Sequence, residues 1–324
     1  MTAPSLERGH GEAEHEAEAA STIVLEGTSR WYGNVVAVNE VSFRLDGGIT
    51  GLLGPNGAGK STILHMIAGF LAPSSGTVSV GGHPARGHPE VYRHIGLVPE
   101  REAVYPFLTG LQFVTASARM QGLPPAEAAA AAERAIGQVE LTSAQGRPIG
   151  TYSKGMRQRA KVAAALVHEP RILLLDEPFN GMDPRQRLHM MDLLRRMAAE
   201  GRTILFSSHI LEEVERIAEQ VLVIVAGRLA ASGHFREIRR LMTDRPHTFT
   251  IRSSDDRSLA AALVGDPTIG SLAVGDGLLT VGTNDFGAFS RSVAGVARRG
   301  GITIHELLPT DESLESVFSY LVRR

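Results

Sequence analysis

The amino-acid sequence predicts an α/β chain, a mixed sheet core with an inserted helical subdomain, followed by a small C-terminal α+β unit. Three observations predict it. The runs 172–175, 203–206 and 221–225 are almost continuously apolar, as strands covered on both faces are. A glycine-rich turn joins the apolar run 49–53 to a helical pattern over 61–70. Beyond about residue 247 the texture changes to short strands and amphipathic helices. With 324 residues, 43% of them hydrophobic, the chain can bury one substantial core and a second, smaller one.

The elements follow in order. Residues 1–21 carry Glu7, Glu12, Glu14, Glu16 and Glu18 among Gly, Ala and His, without the apolar centre of a signal peptide. They read as a disordered acidic tail. A first domain spans 22–244, with strands at 22–25, 41–45 and 49–53, a helix at 61–70, and strands at 77–80 and 95–98. The pattern turns helical between 110 and 166, where Pro124 and Pro125 open an alanine-rich helix, so the helical subdomain is placed at about 105–166. The three apolar strands then alternate with helices. The second domain, 245–324, reads strand 248–252, helix 258–264, strands 269–274 and 278–282, helix 286–299 and strand 302–307, an order resembling a split βαββαβ unit. A final helix at 313–322 places Leu314, Val317, Phe318 and Leu321 on one face, to pack on its own domain or to serve a dimer.

Composition excludes several classes of function. A net charge of −2 and 5% aromatic residues supply neither the field nor the stacking surfaces for nucleic acid. The absence of cysteine removes disulfides, thiolate metal sites and a cysteine nucleophile, and fits the cytosol. No apolar run reaches the roughly 18 to 20 residues that span a bilayer, so any transport role needs separate membrane subunits.

The chemistry gathers at three places. Gly54, Pro55, Asn56, Gly57, Ala58, Gly59, Lys60 and Ser61 satisfy the spacing G-x-x-x-x-G-K-[ST], and Thr62 follows. Glycines let backbone N–H groups close on phosphate oxygens, the helix adds its positive N-terminus, Lys60 reaches the terminal phosphates, and the Ser61 hydroxyl is a Mg²⁺ ligand. The strand ending in Asp176-Glu177 delivers two carboxylates where open α/β sheets bind ligands. Asp176 is assigned to the Mg²⁺ shell and Glu177 to the attacking water as general base. A second buried strand ends in Ser207-Ser208-His209, which places His209 near the γ-phosphate or the water.

Together with Tyr152-Ser153-Lys154-Gly155-Met156-Arg157-Gln158-Arg159, these segments resemble the ATP-binding subunits of the ABC transporter family over about residues 22–234. The resemblance implies a P-loop NTPase of ABC type that binds and hydrolyses Mg-ATP. Ser153 and Gly155 match the family's signature motif, which contacts the nucleotide of the opposite subunit, and so imply a head-to-tail dimer, either homodimer or heterodimer. Tyr32 matches the aromatic residue that stacks on adenine. Gly181-Met182-Asp183 matches the D-loop that couples the two sites, and His209 the switch histidine. The resemblance also implies integral membrane permease subunits as partners and a cytoplasmic, peripheral position at the inner face of the cell membrane.

Two positions depart from the common pattern. Lys154 and Met156 stand in a signature that usually reads Ser-Gly-Gly-Gln, and Glu100 replaces the usual glutamine of the Q-loop. A carboxylate there can still ligate Mg²⁺ or hold water, but it repels phosphate. Glu100 and the small C-terminal unit are similar to those of exporter subunits paired with a separately encoded permease. The competing expectation is an ATPase of the same type that works on nucleic acid, ribosomes or cluster assembly; one cassette and no sustained heptads speak against it.

Overall fold

The computed structural model describes residues 22–101, 103–234, 247–275 and 277–309. The expected acidic tail and the expected helix at 313–322 lie outside the described residues. The chain divides into two compact units between Ser232 and Gly233.

The first unit contains two sheets. Strands β1 (Ile23–Tyr32), β2 (Val35–Leu45), β4 (Ser75–Val80) and β5 (His83–Pro84) form an antiparallel sheet in the order β2-β1-β4-β5. Both β1 and β2 run well past the spans the sequence suggests. Gly27 and the polar residues after it look like a turn, yet register shifts between Leu25 and Trp31 let the ladder continue through them. The second sheet has the order β10-β9-β3-β8-β7-β6, built from β3 (Gly48–Leu53), β6 (Ile95–Val98), β7 (Ile172–Asp176), β8 (Thr203–Ser208), β9 (Gln220–Val225) and β10 (Arg228–Gly233). Its run β9-β3-β8-β7-β6 is wholly parallel. Every residue of β7 and β8 is buried, which explains the apolar runs 172–175 and 204–206 within them. β10 has no such signal, since Leu-Ala-Ala-Ser has little strand propensity.

Helix α1 (Lys60–Ile67) follows β3 directly, and its buried Ile63, Leu64, Met66 and Ile67 join the core with Leu52, Leu174 and Leu205. It stops short of the expected Phe70 because Gly69 turns the chain at φ +75°. A short helix, α2 (Pro89–Tyr92), precedes β6. The helical region consists of α3 (Gly110–Met120), α4 (Pro125–Gln138) and α5 (Lys154–Leu166), which pack on one another. α3 begins with a capping box in which Thr109 and Gln112 satisfy each other's backbone N–H groups. α6 (Pro184–Ala199) and α7 (Leu211–Ile217) connect the parallel strands and pack against β3 and β8.

The second unit has the order β11 (His247–Ser253), α8 (Asp256–Leu263), β12 (Ile269–Gly275), β13 (Leu278–Thr283), α9 (Phe286–Arg299) and β14 (Ile304–Pro309). Its sheet is antiparallel with order β12-β13-β11-β14, the arrangement of a split βαββαβ unit. Phe249, Ile251, Leu259, Leu263, Val281, Phe289 and Val293 form a separate core. β14 starts at Ile304 rather than 302, because the Ile302 N–H closes the end of α9 on the Ala297 carbonyl.

Phe206 on β8 is fully buried and meets Phe179 edge to face at 5.8 Å. Phe206→Ala should destabilise the first unit by about 3–5 kcal/mol, read as a lower urea midpoint with an unchanged slope. A shift worth less than about 1 kcal/mol would show that the aromatic pair is not part of the tight core.

Candidate active site

The first unit places most of the chemically suggestive residues around one cavity of about 340 Å³. Its lining comprises Asn56, Gly57, Ala58, Gly59, Lys60, Ser61, Thr62, Glu100, Asp176 and Glu177, with Ala37 added from β2. The loop is built for close backbone approach. A Cβ on Gly54 would lie 2.3 Å from the Ile224 carbonyl, and one on Gly59 2.3 Å from that of Ala37. Gly59 also sits at φ 104°, a left-handed conformation that side chains resist.

Gly59 is the N-cap of α1, so no side chain caps the helix, and its first turn carries no acid. The first-turn N–H groups therefore point their partial positive charge at the cavity without a local acceptor, which suits an anion. The Lys60 ammonium is buried and donates to the carbonyls of Gly54 at 2.7 Å and Pro55 at 3.2 Å. Burial lowers its pKa, while Glu177, Asp176 and Glu100 act in the opposite sense.

Across the cavity, the parallel register sets Asp176 beside Ser207. The Ser207 hydroxyl donates to Asp176 Oδ1 at 2.5 Å and accepts from the Glu177 N–H at 2.9 Å. Glu177 has φ 50°, a left-handed conformation for a non-glycine residue and a place where backbone strain of about 1–3 kcal/mol is held by its surroundings. Its carboxylate is 8% exposed and meets His209 Nδ1 at 2.9 Å, whereas the imidazole is 47% exposed. Burial raises the Glu177 pKa, opposed first by the hydrogen bond and charge of His209 and then by Lys60. A raised pKa on a carboxylate that lines the phosphate cavity is what a general base requires.

The remaining expected residues stand apart from that lining. Tyr32 ends β1, 45% exposed, with the Arg30 guanidinium 4.7 Å above its ring. Ser153 is the N-cap of α5, its hydroxyl accepting from the Met156 N–H at 3.2 Å. Gly155 is buried, and a Cβ there would come within 2.8 Å of the Gly181 carbonyl, so its smallness serves the packing of α5 on the turn before α6. Asp183 caps α6 by accepting from the Gln186 N–H at 2.9 Å. The sequence assigns a role to His209 but none to Ser207, although a serine pair closing an otherwise apolar strand is a visible signal.

The profile of the ABC transporter family matches residues 38–180. A linearmycin resistance ATP-binding protein of Bacillus subtilis is 35% identical over 254 residues, 76% of this chain and 82% of that protein. The chain belongs to the ABC transporter family. A daunorubicin/doxorubicin resistance ATP-binding protein of Streptomyces peucetius is also 35% identical, over 77% of this chain and 80% of its own length. A bacitracin transport ATP-binding protein of Enterococcus faecalis is 32% identical over 93% of this chain and 96% of its own length, a span that takes in most of the second unit. Among solved structures, an ATP-binding subunit of an ABC transporter aligns with TM-score 0.62 and 30% identity, covering 67% of this chain and 92% of that one. The first unit is thus an ABC ATPase cassette, a nucleotide-binding P-loop fold.

Gly59→Ala should weaken nucleotide binding at least about tenfold, because left-handed strain of about 1–2 kcal/mol adds to the collision with Ala37. Titration with a fluorescent ATP analogue checks this, and undiminished affinity would contradict the cradle described above.

Proposed function

We propose that this chain is the ATP-hydrolysing subunit of an ABC exporter, working as a dimer on separately encoded membrane permease subunits. One observation carries the catalytic part: Glu177, buried and hydrogen-bonded to His209, shares a cavity with the phosphate loop and Lys60. The exporter assignment is supported by relatives whose names specify drug resistance or bacitracin transport, and these do not favour a role without a permease. Among the described residues no helix is long and apolar enough to cross a membrane, and the proposal puts the bilayer path on other chains.

In the proposed reaction, loop N–H groups and Lys60 bind the β- and γ-phosphates of ATP. Glu177 takes a proton from the attacking water, with His209 holding the carboxylate and the water in line. The new bond forms from the water oxygen to the γ-phosphorus; the bond to the bridging oxygen breaks, and its electron pair leaves with ADP. The hard oxygen donors Ser61, Asp176 and Glu100 fit Mg²⁺, although the described residues contain no group of three or more His, Asp or Glu that could hold a metal unaided. Bound there, the ion would neutralise charge on the phosphates.

Ser153 and Gly155 do not line their own chain's phosphate cavity, and the exposed Ser153 N-cap presents a helix N-terminus outward. This supports a dimer in which each signature segment meets the partner's nucleotide, with Tyr32 against adenine and Asp183 at the junction of the two sites. The proposed location is the cytoplasmic face of the membrane.

Glu177→Gln should lower kcat by at least about 100-fold while retaining ATP binding, and Lys60→Ala should lose that binding. Wild-type turnover in the first, or intact affinity in the second, would refute the assignments. The pH dependence follows from the raised Glu177 pKa: the base works only when ionised, so kcat/KM should fall as pH drops through a midpoint above the ordinary glutamate value of 4.5. An acid limb at or below that value would count against Glu177.

A further inference from the structure

Helix α7 carries an acid that the catalytic scheme does not use. Glu213 is 4% exposed and does not line the phosphate cavity. Its Oε2 accepts a hydrogen bond from the Ser208 hydroxyl at 2.7 Å. That hydroxyl in turn accepts from the Ile210 N–H at 3.0 Å, so the serine side chain closes a turn across His209. The other carboxylate oxygen, Oε1, lies 3.4 Å from Nη1 of Arg187 on α6. Arg187 is one turn beyond Asp183, the N-cap of that helix, and its backbone N–H bonds to the Asp183 carbonyl.

A buried ion pair is weak evidence for stability, because desolvation offsets most of its Coulomb energy. Here the carboxylate is burdened further, since the Glu177 charge also disfavours its ionised form. Apolar residues in place of both the acid and its arginine would fill the site at less cost. What such residues could not do is hydrogen-bond the Ser208 hydroxyl and pair with a charge on α6 at once. Through that hydrogen bond and that ion pair, α6 is connected to the stretch from Ser208 to Ile210 that holds the imidazole 2.9 Å from Glu177.

We propose that Glu213 is a positioning residue for hydrolysis: acting through Ser208, it fixes His209 against Glu177 and ties that contact to the Asp183 end of α6. The inference rests on the roles given above to Glu177 and His209. It implies that a displacement of the Asp183 turn is felt at the catalytic base through Arg187, Glu213 and Ser208 rather than through the nucleotide.

Single-turnover ATP hydrolysis with enzyme in excess tests it, since slow variants remain measurable. Glu213→Ala and Ser208→Ala should each lower the rate about tenfold, with ATP affinity within about twofold of wild type. Glu213→Gln should recover most of the loss, because its amide oxygen still accepts from Ser208. In a His209→Ala background neither substitution should slow the reaction further, as expected for groups acting through the histidine. Ser208→Ala removes the same link with minimal change of volume and decides the matter should Glu213→Ala fail to fold. An equal additional loss in the His209→Ala background, or full activity in both single variants, overturns the proposal while leaving the catalytic reading intact. Wild-type turnover in His209→Ala alone removes both.

Discussion

The site depends on keeping one ammonium group charged where water can scarcely reach it. Lys60 is 7% exposed, and an unpaired cation there would lose its proton or pull the loop apart. Two carbonyls of its own loop take its hydrogen bonds, and three carboxylates face it across the cavity. That balance explains why acids stand opposite an anion-binding loop at all. Without them, burial would lower the lysine's pKa unopposed; with them alone, phosphate would be repelled. The glycines matter for the same reason, since only bare backbone can bring carbonyls and N–H groups close enough to serve both lysine and phosphate.

The acids are in turn set by sheet register. Because β7 and β8 run parallel with Asp176 beside Ser207, one hydroxyl can bond the Asp176 carboxylate and the Glu177 backbone together. Glu177 can then leave the strand in a left-handed conformation, aim its side chain at His209 and stay buried. A one-residue slip would turn Asp176 to the other face of the sheet and separate the pair from the loop. The carboxylates sit at the end of a strand that is buried throughout.

Much of this was legible in the sequence, for physical reasons that differ by element. Strands β7, β8 and β9 announce themselves because a strand buried on both sides must be apolar throughout, and the phosphate loop does so because its chemistry demands fixed spacing. The ends of β1 and β2 were not legible, since a ladder interrupted by register shifts tolerates Gly27 and polar residues that otherwise mark a turn. β10 was missed because its small residues have little preference of their own. The caps formed by Ser153 and Asp183 were hidden for another reason. Their side chains bond locally, to Met156 and Gln186, so spacing shows a helix start without showing whether the residue serves the helix, a ligand or both.

Pairings between distant segments are the least legible feature, and they carry the connections within the cassette. Lys161 is buried on α5, the helix that Ser153 caps, and its ammonium donates to the carbonyls of Pro99, Glu100 and Arg101 at 2.6, 3.3 and 3.1 Å. In the sequence it is one of two lysines in a helix that also carries two arginines, and nothing marks it as different. In the fold it fastens the backbone of the segment that presents Glu100 to the phosphate cavity. Gly155, on the first turn of the same helix, packs against Gly181 just before Asp183. Helix α5 is therefore held at one end to the turn before α6 and along its length to the segment bearing Glu100. A rotation of α5 cannot leave both attachments undisturbed, because backbone contacts at van der Waals distance and a buried, three-way ammonium bond do not stretch.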